Sequence, residues 1–292
     1  MTSAKTVLVP LDGSVRATAA IPVARGFAEL LHATVALLHV SDDALTPDAL
    51  VQRMKLSGED VPGLIIEHHP GAAAAAIVKV AGERHAAIIV MCPQIRTDLR
   101  WRALGSVAAA VLRAAPCPVV LVPPARGRKR WTLHQLLVPH DGTPTSAATI
   151  GPATDLALKA AAELVVLHVA TPGAETPTEP GTLVSPRYVD QPQHEWPAWV
   201  QEFLARLCAV GLCAVGGARG GTEIRLAMAQ GEAGAAIVDF ARESDLIVLG
   251  WRGALEPGRA RTMQRVICDT TCPMIVHRVD RDGDRWYWPW SS

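Results

Sequence analysis

The chain lacks net charge, long apolar runs and a leader-like start. Its 28 lysines and arginines balance its 28 aspartates and glutamates over 292 residues. This balance gives no electrostatic reason to expect nucleic acid or an anionic membrane as the main partner. No run of about twenty apolar residues occurs, and MTSAKTVLVPLDGS at the N-terminus has no signal-peptide-like stretch. We therefore expect a cytoplasmic protein that neither spans a membrane nor binds nucleic acid.

Paired cysteines and the common catalytic motifs are also missing. The six cysteines form no C-x-x-C pair, and Cys268 and Cys272 have no second pair to complete a tetrahedral metal site. This pattern favours core cysteines in a reducing compartment. The signatures G-x-x-x-x-G-K-[ST], G-x-G-x-x-G, G-x-S-x-G and H-E-x-x-H are absent. No residue presents itself as a general base, so we do not expect an enzyme.

The sequence contains an internal repeat. LLVPHDGT at 136–143 matches VLVPLDGS at 7–14, and VVLHV at 165–169 matches ALLHV at 36–40. The stretch 86–122, read as strand, loop, helix and strand, recurs with changes at 245–277. Blocks in the same order and spacing indicate duplication. We predict domains at 1–123 and 135–280, a Pro-rich basic linker at 124–134, and a Trp-rich tail at 281–292.

Each half alternates short apolar runs with stretches of helical spacing, which in the first half predict helices over 15–32 and 42–56. This alternation predicts two α/β domains, each with a five-stranded parallel sheet flanked by helices on both faces. In such sheets a ligand lies beyond the carboxyl ends of the strands. Asp12 and the loop 91–106 should meet there in the first half, and Asp141 and the loop 249–261 should meet there in the second.

Together these motifs resemble the universal stress protein family in its tandem form. The resemblance rests on VPLDGS and VPHDGT, on LLHV and VLHV, and on the strand–loop–helix units that end in CPV and CPM. It implies tandem Rossmann-like domains of the adenine nucleotide alpha hydrolase-like fold, and a non-catalytic stress-response protein that binds ATP, with or without Mg²⁺, in at least one of two partly degenerate sites. It also implies that the last strands, at 119–122 and 274–277, pair edge to edge in an internal pseudo-dimer, with a homodimer as a further possibility. Slow ATP hydrolysis is the last-ranked hypothesis, because no residue presents itself as a general base.

The resemblance also implies which residues bind the nucleotide. In ATP-binding members an Asp after the first strand takes the nucleoside, and a Val after the second strand lies near the base. A G-x-x-G sequence, followed nine residues later by G-[ST], holds the phosphates. In the first half these positions are Pro10, Asp12, Val40, Met91, Gly105, Ser106 and Val107. In the second half they are Pro139, Asp141, Val169, Leu249, Gly250 and Gly253.

Both halves depart from this pattern, in complementary ways. The first has Cys92 and Ile95 where the paired glycines belong, and a branched Ile there should obstruct phosphates or push the loop outward. The second keeps both glycines, but its G-[ST] position falls on Met263-Gln264 by count or on Ala260-Arg261 by alignment of the helix. Loop arginines could compensate by holding phosphate through their side chains: Arg96, Arg100, Arg102, Arg252, Arg259 and Arg261.

Two segments lie outside the resemblance. A Pro-rich insertion falls within 170–197, and the tail carries Trp286, Tyr287, Trp288 and Trp290. Such a tail either packs on its own domain or contacts a second chain. The alternative function is therefore an interaction module that has lost nucleotide binding and engages a partner through the tail and the insertion.

Overall fold

A computed structural model describes residues 5–43, 45–54, 56, 62–96, 103–124, 130–171, 182, 224–252, 257–279 and 288–290. The first half contains β1 (Thr6–Leu11), α1 (Ala20–Leu31), β2 (Thr34–Val40), α2 (Pro47–Arg53), β3 (Leu64–His69), α3 (Ala73–Glu83), β4 (Ala86–Met91), β5 (Ile95–Arg96), β6 (Ala103–Leu104), α4 (Ser106–Ala114) and β7 (Val119–Leu121). The second contains β8 (Gln135–Pro139), α5 (Pro144–Ala147), α6 (Ile150–Ala160), β9 (Glu163–Ala170), β10 (Ile224–Gln230), α7 (Ala233–Phe240), β11 (Leu246–Trp251), α8 (Pro257–Asp269) and β12 (Met274–Arg278).

The central strands are apolar throughout because helices cover both faces of the sheet. Every residue of β1 and of β4 is buried. Along β1, Val7 and Val9 point into one hydrophobic core while Leu8 points into the other. Helix α1 turns Ile21, Ala24 and Phe27, at helical spacing, toward the first of these cores.

The two halves join into one ten-stranded sheet. Within each half the strands are parallel, in the order β7-β4-β1-β2-β3 and β12-β11-β8-β9-β10. The predicted α/β class with five parallel strands per half is therefore confirmed. Strands β7 and β12 pair antiparallel, with Val120 opposite Ile275. This edge-to-edge contact, expected from the resemblance, gives the backbone groups at both strand edges a partner.

Local structure differs from the sequence prediction at three places. The loop after β4 contains the short antiparallel hairpin β5–β6, in which Ile95 pairs with Leu104. The segment 15–32 begins as a turn and a 3₁₀ turn before α1 starts at Ala20. Helix α2 is shorter than the predicted 42–56, because Thr46 caps it and Pro47 takes its first position.

Four aromatic side chains, which we call the aromatic clasp, bridge the halves: Phe27, Trp131, Trp288 and Trp290. The Phe27 ring lies 5.0 Å from that of Trp131 and 6.3 Å from that of Trp290, and the rings of Trp288 and Trp290 are 5.0 Å apart. Trp290 Nε1 donates to the carbonyl of Pro152 at 2.8 Å, which ties the tail to α6. The described part of the tail thus packs within the chain, against both halves.

The described residues include no helix both long and apolar enough to cross a membrane. They also include no group of His, Cys, Asp or Glu placed to hold a metal ion. Cys117 and Cys272 are buried, and Cys92 and Cys268 are half-buried. Cys208, Cys213 and the insertion at 172–181 and 183–197 lie outside the described residues.

The aromatic clasp predicts that Trp290 stabilises the whole chain. Trp290→Ala should lower the free energy of unfolding by about 3–5 kcal/mol, because a large side chain leaves a site that is only 5% exposed. Trp290→Phe, which keeps ring packing but loses the bond to Pro152, should cost less. Urea unfolding followed by circular dichroism measures both changes. Equal stability of the wild type and the alanine variant would contradict the clasp.

Candidate functional site

A cavity of about 230 Å³ opens in the first half, at the carboxyl ends of β1, β2 and β4 and between α3 and α4. The structure places all seven residues that the resemblance implied for this half around it: Pro10, Asp12, Val40, Met91, Gly105, Ser106 and Val107. Sequence reasoning missed other lining residues, among them Ala73, Ile77 and Gln94. The two from α3 belong to an ordinary apolar helix face, which carries no distinguishing signal.

One side of the cavity is apolar. Its lining includes side chains from two strands and two helices: Leu38, Val40, Ala73, Ile77, Met91 and Ala108. Such a slot, with few polar groups at its mouth, suits a flat, mainly apolar ring system.

Asp12 supplies a fixed negative charge at the mouth of the cavity. Its Oδ1 accepts from the backbone N–H of Ser14 at 2.9 Å, and its Oδ2 accepts from Gln94 Nε2 at 3.1 Å. Burial by itself raises the pKa of Asp12, but the hydrogen bonds from Ser14 and Gln94 and the charge of Arg16 outweigh it. The pKa of this carboxyl therefore lies below its ordinary value, and Asp12 is a carboxylate at neutral pH.

Gln94 and Gly105, which flank the hairpin β5–β6, both line the cavity. The N–H of Gly105 donates to the carbonyl of Gln94 at 2.7 Å. A Cβ on residue 105 would lie 2.9 Å from that carbonyl oxygen, so this approach requires glycine. Gln94 therefore connects the base of the hairpin to Asp12, a link that no sequence pattern indicated.

Helix α4 begins at the cavity. Gly105 is its N-cap and offers no side chain to the first-turn N–H groups, while Ser106 and Val107 are exposed. The first N–H groups of a helix have no partner within the helix, and they favour an anion. The start of α4 is therefore the part of the cavity best suited to a phosphate.

Cys92 lines the cavity where the family pattern has glycine. Burial raises the pKa of the Cys92 thiol to about 11, with the Arg16 charge lowering it and the Asp12 charge raising it further. Cys92 is therefore a neutral thiol at physiological pH, and its surroundings disfavour negative charge.

The second half uses its corresponding Asp differently. Asp141 Oδ1 accepts from Thr143 N–H at 3.1 Å, from Thr143 Oγ1 at 2.5 Å and from Ser146 Oγ at 2.7 Å. Thr143 in turn caps the short helix α5. Asp141 thus holds its own loop together.

Gly250 lies in β11, and the α5 backbone packs directly on it. A Cβ on residue 250 would lie 2.4 Å from the carbonyl oxygen of Thr145. The space left by the missing side chain of Gly250 is therefore filled by the backbone of Thr145. Three other residues implied for this half are in strands: Pro139 ends β8, Val169 lies in β9, and Leu249 is buried in β11. Gly253, the last of that set, lies outside the described residues.

Helix α8 differs from its counterpart α4 at its start. It begins at Pro257, so both candidate G-[ST] positions, 260–261 and 263–264, fall inside the helix rather than at its N-cap. Arg265 of α8 bonds the Glu232 carboxylate at 2.5 Å, and Glu232 caps α7 through the N–H groups of Gly234 and Ala235. An ion pair thus spans α7 and α8, whereas the cavity lies between α3 and α4.

Of the loop arginines, Arg252 and Arg261 are exposed. The side chains of the others lie outside the described residues: Arg96, Arg100, Arg102 and Arg259.

Two histidines repeat at the same position in both halves. Nδ1 of His39 donates to the carbonyl of Leu11, and Nδ1 of His168 donates to that of His140, each at 2.9 Å. Both rings are buried and tie the second strand of each half to the turn after the first. The two histidines therefore have the same structural role in both halves.

Fold and cavity together define a class: a double-domain α/β protein with a ligand-sized cleft at the carboxyl ends of the parallel strands of its first half. Comparison with protein families matches the Universal stress protein family at residues 3–123 and again at 132–278. The chain therefore belongs to the universal stress protein family, with two of its domains in tandem.

Solved structures show the same fold. A putative universal stress protein from Pseudomonas aeruginosa UCBPP-PA14 has a TM-score of 0.63 and 17% identity, with 94% of each chain covered. A universal stress protein from Archaeoglobus fulgidus DSM 4304 has a TM-score of 0.61 and 18% identity, with 95% of this chain and 99% of that one covered. No curated protein matches the sequence.

The turn after β8 predicts a pH-dependent loss of stability. Burial lowers the pKa of His140 to about 4 from 6.5, although the Asp141 charge opposes the shift. The unfolded chain therefore binds a proton between pH 6.5 and 4 that the folded chain does not, and stability falls as the pH falls through this window. His140→Leu, which introduces the residue found at the matching position 11, should remove up to about 3 kcal/mol of this loss. Urea unfolding at a series of pH values tests it, and identical pH slopes for variant and wild type would refute it.

Gly250 predicts a second, steric effect. Gly250→Ala should destabilise the fold by about 1–3 kcal/mol, because its Cβ would overlap the Thr145 carbonyl. Gly151→Ala is the matched control: it lies in α6 with nothing within 4 Å of the added Cβ, and it should be neutral or stabilising. Thermal denaturation of the two variants compares them directly. A Gly250→Ala protein as stable as the control would mean that the α5 contact is misassigned.

Proposed function

We propose that this chain is a non-catalytic stress-response protein that binds an adenine nucleotide in the cavity of its first half. The observation that carries the proposal is the convergence of seven family-pattern residues on one cleft, with an apolar slot at one side and the start of α4 at the other. The slot suits the base, Asp12 suits the hydroxyl or amino donors of a nucleoside, and the helix start suits a phosphate.

The two halves support the proposal by their contrast. In the first, Asp12 keeps one carboxylate oxygen toward Gln94 at the cavity mouth. In the second, the Asp141 carboxylate serves the capping turn of α5, and the Thr145 carbonyl covers Gly250. We therefore assign nucleotide to the first half and a scaffolding role to the second.

A matched pair of substitutions tests this assignment. Val40→Phe should fill the apolar slot and weaken nucleotide binding by about tenfold or more, which is a loss of about 1.4 kcal/mol. Val169→Phe makes the same change at the corresponding position of the second half and should leave the affinity unchanged. Isothermal titration calorimetry with adenosine and its mono-, di- and triphosphates gives the affinities, and circular dichroism checks that both variants fold.

Each other result has a defined meaning. If only Val169→Phe weakened binding, the ligand would belong to the second half. If the wild type bound no adenine compound at millimolar concentration, the proposal would fail in favour of an interaction module. Phosphate release above that of a heat-treated sample would replace the non-catalytic assignment with ATP hydrolysis.

A further inference from the structure

The loop after β4 folds back on itself, where the family pattern has a glycine cradle. Ile95 is paired with Leu104 in the hairpin, and the N–H of Gly105 is used by the carbonyl of Gln94 at 2.7 Å. The glycine at 105 serves this internal contact, since a Cβ there would meet the same carbonyl at 2.9 Å. A donor that a longer phosphate chain would use is therefore already engaged.

The described residues that line the cavity carry no positive charge. No Lys or Arg is among the described residues that line it, and Asp12 contributes a carboxylate. Arg16 is the nearby cation that acts on both Asp12 and Cys92. The Arg16 charge lowers the pKa of Cys92 by less than burial raises it, so the surroundings of Cys92 still disfavour negative charge.

One favourable anion position remains, at the start of α4. The exposed Ser106 offers its hydroxyl there, next to the first-turn N–H groups that Gly105 leaves uncapped. A single phosphate fits this arrangement. Cys92 and Gln94 line the same cavity and offer no positive charge to further phosphates.

Building on the proposed function, we propose that the cavity selects an adenine nucleoside carrying one phosphate group and discriminates against the triphosphate. The selectivity would come from the base of the hairpin, where the Gln94 carbonyl engages the Gly105 N–H, and from the neutral Cys92 side chain in the cavity wall. An open monophosphate and a cyclic phosphate ester of the nucleoside both carry a single phosphate group, so both fit this proposal.

The test is a calorimetric series on the full chain with adenosine, AMP, cyclic AMP, ADP and ATP, the last with and without Mg²⁺. Whichever of AMP and cyclic AMP binds better should bind at least about tenfold more tightly than ATP and than adenosine. The difference between AMP and cyclic AMP shows whether the ligand carries an open or a cyclic phosphate. ATP binding as tightly as AMP would overturn the inference while leaving the proposed function intact. Binding of no adenine compound would instead overturn the proposed function and the inference with it.

Two variants test the cause. The double substitution Cys92→Gly with Ile95→Gly restores the family glycines. It should reduce the ratio of the AMP affinity to the ATP affinity by about fivefold or more, an effect of about 1 kcal/mol. Ser106→Ala should weaken AMP but not adenosine. Cys268→Ala, a half-buried thiol in α8, is the control and should leave every ratio unchanged. An unchanged ratio in a folded double variant would refute the assigned cause, and the wild-type series decides the inference even if that variant does not fold.

Discussion

The antiparallel pairing of β7 with β12 is the contact on which the whole architecture depends. Each strand is the outer edge of a parallel half-sheet, and each edge exposes backbone donors and acceptors that need partners. Pairing them satisfies both edges and makes one sheet of ten strands. Because the pair is antiparallel while each half is parallel, the carboxyl ends of the two half-sheets point in opposite directions. The cavity of the first half and the corresponding position of the second half therefore lie at opposite edges of the sheet.

The aromatic clasp is a second contact between the halves, in addition to the pairing of β7 with β12. Trp131 from the linker and Trp290 from the tail both stack near Phe27 of α1, and Trp290 also reaches α6. Indole rings suit this place because they bury a large apolar area while their N–H still finds a carbonyl. The clasp thus adds aromatic packing between the halves to the strand pairing.

The cavity of the first half and the corresponding position of the second half differ through a few individual contacts. Position 92 carries a thiol that lines an open cavity, while its counterpart Gly250 lets the α5 backbone pack onto β11. The Asp12 carboxylate accepts a hydrogen bond from Gln94 of the cavity lining, whereas the Asp141 carboxylate accepts hydrogen bonds from Thr143 and Ser146 of its own turn. Because interiors are close-packed, presence or absence of one Cβ decides whether such a site is open or filled.

The sequence by itself determined the repeat, the α/β class and the positions at the strand ends, because these follow from local periodicity and from blocks that recur in register. It also placed Asp12 and Ser106 at one site, since parallel strands bring their carboxyl ends together. Only the tertiary structure decided the rest: the hairpin β5–β6 beside the cavity, the role of Gln94, the Thr145 carbonyl on Gly250 and the packing of Trp290 against both halves. These features join residues distant in the chain through backbone atoms and apolar surfaces, and neither leaves a periodic or motif-like trace in the sequence.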